Sequence, residues 1–273
     1  MPSTSVTALR THLLAARLAG SVRTLREESL RSYQLFAARD PRVTLGLGPE
    51  RDWTERDVIA LMAAKCGVSP DPAHISGPDV IDPDRTLSAL DAFADRLGEV
   101  AAARGAVLLG TGHPRRLLGF YGGLADALSA AGCLLLTPAQ GRCVDITTRF
   151  GVRTYAIDYV RGVALVRESG VRATRGESGA HTHSPLPVRA ALESLAEAGG
   201  PLPDLVVGDH GWVCGAGQLG FEAMGPADVD DPALFVGEAE GRVAVVVPLD
   251  DSVRSPCYRP LTRYVLNRAC LSQ

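Results

Sequence analysis

The sequence predicts an α/β fold with a mixed, largely parallel sheet, and three observations carry that expectation. Two stretches share one plan, a short apolar β run that ends in a glycine-rich polar turn and leads into a helix. They are AVLLGTGHPRRLLGFYGGLADAL, residues 106–128, and DLVVGDHGWVCGAGQLGFE, residues 204–222. A polar turn at the carboxyl end of a strand is where such sheets present chemistry. The first stretch is followed by another apolar run, Cys133–Thr137, which makes a βαβ crossover and hence a parallel pair. Residues 1–100 read as a helical N-terminal portion packed on a main α/β domain, residues 101–273, that carries the site.

Hydrophobic residues make up 46% of the 273-residue chain and charged residues 22%, the balance of a soluble globular protein with a sizeable core. A net charge of −3 gives no reason to expect nucleic acid as partner. Lys65 is the only lysine, so the cations are almost all arginine, whose planar fork matches phosphate or carboxylate oxygens. The six cysteines include no CxxC and read as scattered thiols in a reducing cytoplasm. No apolar run approaches the ~18 residues of a membrane span. Residues 1–26 lack acids, as a transit peptide does, yet Leu9, Leu13, Leu14 and Leu18 fit an amphipathic helix turned towards a core.

In chain order, residues 5–38 read as one helix, long or broken at Gly20-Ser21, and Asp40-Pro41 stops it. Val43–Leu45 reads as a short strand. Thr54, with Asp57 three residues on, caps a second helix that Gly67 ends. Residues 69–84 are rich in proline and aspartate and form a loop. Asp82 caps the third helix, Pro83 takes its first position, and Leu87, Leu90, Phe93, Ala94 and Leu97 form its apolar stripe. Strand 106–109, helix 115–131 and strand 133–137 follow. Between 141 and 168 three apolar runs suggest short strands or hairpins, and the polar segment 169–179 reads as a mobile loop. A helix over 186–198 ends at Gly199-Gly200. After strand 205–207 the sequence predicts a glycine loop, then a helix, strands at 233–236 and 243–247 as an antiparallel addition, and a closing helix over 260–271.

Chemistry is expected at the turns. In Gly110-Thr111-Gly112-His113 the glycines let backbone approach an anion, and the next helix aims N–H groups at it. Arg115 and Arg116 add full charge at a helix start, where cations are unfavourable unless an anion is present. The bland alternative is an ordinary tight turn. His181-x-His183 places two imidazoles on one side of an extended segment, able to meet one metal ion or one phosphoryl group; two solvent-facing loop histidines are the alternative. Asp209-His210 can bind a metal, or the acid can orient a histidine that acts as acid–base or nucleophile; a capping Asp and a packed His are the alternative. Asp228, Asp230, Asp231, Asp250 and Asp251 suit a hard cation as a group but each reads singly as a cap or turn residue. Arg142, Asp145, Arg149 and Asp158 either line the cleft or form ordinary ion pairs. Cys214 is the only thiol placed as a nucleophile candidate, and an inert buried thiol is its plainer reading.

The segments GTGHPRRLLGFYGGLADALSAAG, LTPAQGRCVDITTRFGVRTY, GAHTHSPLPVR and VVGDHGWVCGAGQLGFEAMG together resemble a high-GC, actinobacterial-type bacterial family catalogued as phosphatases. The resemblance covers essentially the whole chain and implies hydrolysis of a phosphomonoester in the cytoplasm, with a small phosphorylated metabolite as partner and neither nucleic acid nor membrane. The chain shows no RHG or GDxHG motif, so the mechanism has to come from its own residues. The expected catalytic residues are His113, Asp209 and His210. Gly110, Thr111, Gly112, Arg115, Gly215 and Gly217 are expected to hold substrate. His181, His183, Asp209 and His210 are expected to hold a divalent metal, Mg²⁺, Mn²⁺ or Zn²⁺. A non-catalytic phosphometabolite- or nucleotide-binding protein and a metal-dependent amide or ester hydrolase are the competing readings.

Overall fold

The structure, a computed structural model, describes residues 5–148, 150–169 and 179–271; Arg149 and residues 170–178 of the expected mobile loop lie outside them. The elements of the first part are α1 (Val6–Ala15), β1 (Gly20–Leu25), α2 (Arg26–Ala37), α3 (Pro41–Thr44), α4 (Glu55–Cys66), β2 (Pro78–Ile81) and α5 (Pro83–Ala102). The middle holds β3 (Ala106–Gly110), α6 (Pro114–Ala130), β4 (Leu134–Leu135), β5 (Cys143–Thr148), β6 (Gly151–Val160) and β7 (Val163–Glu168). The last part holds α7 (Leu186–Ala198), β8 (Leu205–Val207), α8 (His210–Gln218), β9 (Ala223–Ala227), α9 (Pro232–Ala239), β10 (Val245–Pro248) and α10 (Arg259–Arg268).

The mixed α/β fold is as the sequence predicts. The main sheet runs β10-β9-β8-β3-β7-β6-β5, with β4 beside the start of β3. From β10 through to β7 every neighbour is parallel, and β6 and β5 add an antiparallel ribbon at one edge. Strands β3, β8 and β9 are buried at every position, because helices cover both faces of a parallel sheet.

Capping chemistry explains several helix boundaries. Thr54 and Asp57 form a reciprocal capping box on α4, and Gly67 ends it in the left-handed region at φ 86°. The Asp82 side chain accepts from Asp84 N, with Pro83 at the first helical position of α5. Leu9, Leu13 and Leu18 are buried as expected, whereas Leu14 stays 42% exposed and outside the core.

Four expectations are corrected. The helix read over 5–38 is split by β1, which pairs antiparallel with β2, itself inside the stretch read as a loop. The strand read at Val43–Leu45 is instead the end of α3, with Leu45 in the left-handed region. The strand read at 233–236 is α9; a short apolar run does not distinguish strand from helix, and Pro232 at the first helical position is compatible with the helix. The final strands are parallel, so the antiparallel addition comes from the middle of the chain. Strand β9 has no strand signal in the sequence, because Ala-Met-Gly-Pro-Ala carries two strand breakers. It fits because a Cβ at Gly225 would collide with the Gly208 carbonyl oxygen, so only glycine allows β9 to pack there.

Candidate active site

Four neighbouring parallel strands end at one place. His113 follows β3, Asp209 and His210 follow β8, Asp231 follows β9 and Asp251 follows β10. His113, Asp209 and Asp231 are the N-cap residues of α6, α8 and α9, so three helix N-termini meet there. None of the three side chains caps its own helix. His113 and Asp209 face each other instead, and Asp231 faces His210.

Asp209 binds the two turns together. Its Oδ1 accepts from Gly112 N at 2.8 Å, and its Oδ2 accepts from His113 N at 3.1 Å and Thr111 Oγ1 at 3.3 Å. The same Oδ2 lies 3.5 Å from His113 Nδ1 and 3.4 Å from His210 Nδ1. Burial opposes its ionisation, but the interactions with His113 and His210 outweigh that and hold the carboxyl far below the usual range. The anion that the Gly110–His113 turn was expected to cradle is therefore supplied by the chain itself. Gly110 packs against the Trp212 ring, and Thr111 and Gly112 serve Asp209, so these three do not offer the expected phosphate cradle.

The third turn is drawn in by close backbone approach. Thr182 N donates to Gly112 O at 3.0 Å, and a Cβ at Gly112 would strike Thr182 O. A Cβ at Gly211 would strike Ser184 O. Glycine at these two positions lets the His181–Ser184 strap lie across both turns, and four imidazoles meet. Ring centroids are 4.0 Å apart for His113 and His181, 4.4 Å for His113 and His210, and 4.2 Å for His183 and His210. The convergence of three turns read from the sequence is present in the fold.

Two donor sets lie in this cluster. One is His113, His183 and His210; the other is His210, Asp231 and Asp251; within each, the donor atoms lie within 4.8 Å of one another. His210 Nε2 is 3.0 Å from Asp231 Oδ2 and 3.3 Å from Asp251 Oδ2. Two carboxylates no more than 4.8 Å apart repel by about 3–4 kcal/mol at an effective dielectric of ~20, so a positive charge beside them, the His210 imidazolium or a metal ion, is favoured. Burial pushes Asp251 up to about 6, against the pull of His113 and His210. Asp231 is held down at about 2, because His210 outweighs the cost of burial. For His210 burial is again the opposing effect, and Asp231 and Asp209 push the imidazole well above its usual value. Burial first, and then the neighbouring imidazoles, lower His181 to about 4 and His183 to about 3, which keeps both neutral and able to donate a lone pair.

The chemistry of these donors fits a divalent metal ion. Asp251 Oδ2 is buried without an aligned hydrogen-bond partner, as an atom awaiting a ligand would be. The set differs from the one expected. His113 replaces His181, which stacks on it and faces outward, and Asp209 is occupied by three donors from the β3 turn. Asp231 and Asp251, read singly as cap and turn residues, enter the cluster. Asp250 does not, because Arg23 N, Ser252 N and Ser252 Oγ satisfy it. Asp228 accepts from Thr24 Oγ1 at 2.5 Å and stays outside as well.

A cleft of about 260 Å³ opens beside the cluster, lined by His113, Pro114, Arg115, Arg116, His181 and Ser252. Its rim is cationic, with the N-terminus of α6 and two exposed arginines. Gly215 and Gly217 are not part of it. They lie inside α8, where a Cβ would meet Val188 and Pro185 or the Arg242 carbonyl, so the predicted substrate-binding loop is a packed helix. Cys214 is fully buried, and burial pushes its thiol well up, as for an inert core cysteine. Arg142 pairs with Glu193, Asp158 pairs with Arg167 and Asp145 accepts from Thr154, which makes them ordinary surface contacts.

Comparison with known proteins gives the family. The sequence pattern of the family described as Phosphatase matches residues 4–273. A protein of Streptomyces coelicolor named as a phosphatase is 44% identical over 265 residues, which cover 96% of this chain and 95% of that protein.

Proposed function

The chain belongs to the Phosphatase family, and from that premise we propose that it hydrolyses a small-molecule phosphomonoester with the help of a divalent metal ion. The observation that carries the reading is the meeting of four histidines and three buried carboxylates at the strand ends, beside a cleft with two arginines on its rim. His113, His183 and His210 would hold the ion, which would act as a Lewis acid towards the phosphoryl oxygens.

The chain's own residues do the rest. Asp209, behind the cluster, keeps the Nδ1 edges of His113 and His210 towards itself and so directs their opposite edges to the site, the role of a carboxylate that orients ligating imidazoles. Arg115 and the α6 N-terminus attract the phosphoryl group, and neutral His181 on the cleft wall hydrogen-bonds it. Water adds at phosphorus as the ester P–O bond breaks, and the alcohol leaves with a proton. A cleft of about 260 Å³ suits a metabolite rather than a phosphoprotein segment.

The test is release of inorganic phosphate from a panel of sugar, cyclitol and nucleotide monophosphates, before and after EDTA. Loss of activity with EDTA, its return with metal, and a fall of at least ~100-fold in kcat for His113→Ala and His210→Ala are expected. Unchanged hydrolysis with both alanines would remove these residues from the reaction.

A further inference from the structure

The imidazole donors account for one ion, and the carboxylates beside them remain. Asp231 and Asp251 have side chains 9% and 6% exposed, and Asp251 Oδ2 has no aligned hydrogen-bond donor. Among the described residues the ion-pair partners of Asp209, Asp231 and Asp251 are histidines alone; no arginine or lysine reaches them. Resting on the metal-assisted reading above, we propose that Asp231 and Asp251 hold a second divalent cation, making the centre binuclear with Asp251 between the two ions.

Three features support this. The donor sets differ in kind, one all imidazole and one mostly carboxylate, and they share His210. One imidazole nitrogen serves one ion, so the carboxylates need an ion of their own, completed by water or substrate oxygen as hard-cation sites usually are. The position of Asp251 suits a bridge, because its Oδ2 lies 3.3 Å from Nε2 of His210, the side chain that the two sets share, and 3.4 Å from the His113 ring. Charge gives the same answer. With neutral imidazoles, three carboxylates exceed one divalent ion by a unit of negative charge, which would repel a phosphate dianion. A second ion makes the pocket positive, the sign that the substrate requires.

The experiment is Mn²⁺ titration of the metal-stripped full-length chain, with bound metal per chain measured and the electron paramagnetic resonance spectrum recorded at each step. Two equivalents and an exchange-coupled spectrum at saturation are expected for the wild type, and one equivalent with an uncoupled spectrum for Asp231→Asn. A single equivalent in the saturated wild type, or two retained in Asp231→Asn, would overturn the inference. The wild-type spectrum decides the matter alone should the variant fail to fold, since a saturated but uncoupled spectrum also overturns it. The two readings fail separately: two coupled ions with no phosphate released from any ester remove the phosphatase reading alone. One ion with active hydrolysis removes only the second site.

Discussion

His210 is the residue on which the centre turns. It sits at φ 45°, in the left-handed region that a non-glycine residue enters at a cost on the order of 1 kcal/mol. The strained backbone starts α8 one residue after Asp209 and puts the ring among Asp209, Asp231 and Asp251. Its neighbour His183 supplies a test through pH. Burial lowers His183 from 6.5 to about 3, so the unfolded chain binds a proton there that the folded chain does not. Stability from this group is therefore complete above 6.5 and is lost as pH falls through that value towards 3. Asp251 and the buried Asp228 and Asp230 are raised and act in the opposite sense, so the His183 share must be read as a difference. Denaturant titration of metal-stripped protein should show the wild type losing stability relative to His183→Gln on acidification, with a slope on the order of 1 kcal/mol per pH unit. Parallel pH curves for the two proteins would mean that His183 is not buried neutral.

Elements meet at this site because glycines let backbones touch. Gly112 faces the Thr182 carbonyl and Gly211 the Ser184 carbonyl, and no side chain can separate them without moving the His181–Ser184 strap. Gly112→Ala is expected to cost about 1–3 kcal/mol of stability and to weaken metal binding as His183 moves away. Gly200→Ala, whose Cβ meets only the Leu195 carbonyl at 4.0 Å, should stay within about 0.5 kcal/mol of wild type. Calorimetry with and without metal measures both effects. Equal behaviour of the two variants would show that the strap is not held by this contact. Thr54→Ala, which removes one half of the capping box on α4, should cost about 1 kcal/mol while leaving metal affinity unchanged, because α4 contributes nothing to the cluster.

Over the whole molecule, the sheet order places β10, β9, β8 and β3 side by side, so residues spread from 113 to 251 share one edge. The N-terminal portion braces that edge from outside. Tyr33 Oη donates to Val229 O at 2.8 Å, Thr24 Oγ1 to Asp228, and Arg23 N to Asp250, each fixing a connection that leads to or from a site carboxylate. Because the centre draws on β3, β8, β9, β10 and the strap, metal binding should stabilise the whole fold. Metal at about 100 times its Kd is expected to add about 2.7 kcal/mol, seen as a rise in Tm that EDTA reverses. A Tm indifferent to metal would sever the cluster from metal binding.

Much of this was legible in the sequence, and the residues show why. The strand–turn–helix plan at His113 and Asp209-His210, the caps at Thr54 and Asp82, and the four histidines placed in turns all depend on chain-local chemistry, namely hydrophobic period, backbone freedom and hydrogen-bonding side chains. The sequence could not show that the Gly112 and His113 amides serve Asp209, that Gly215 and Gly217 pack a helix, or that Asp231 and Asp251 belong with His210. An aspartate before a helix looks the same whether it caps that helix or reaches across to another strand. The sequence by itself thus determined the fold class and three of the turns that carry chemistry. Only the tertiary structure decided which side chains face each other, because that depends on the order of strands in the sheet and on where glycines let two backbones meet.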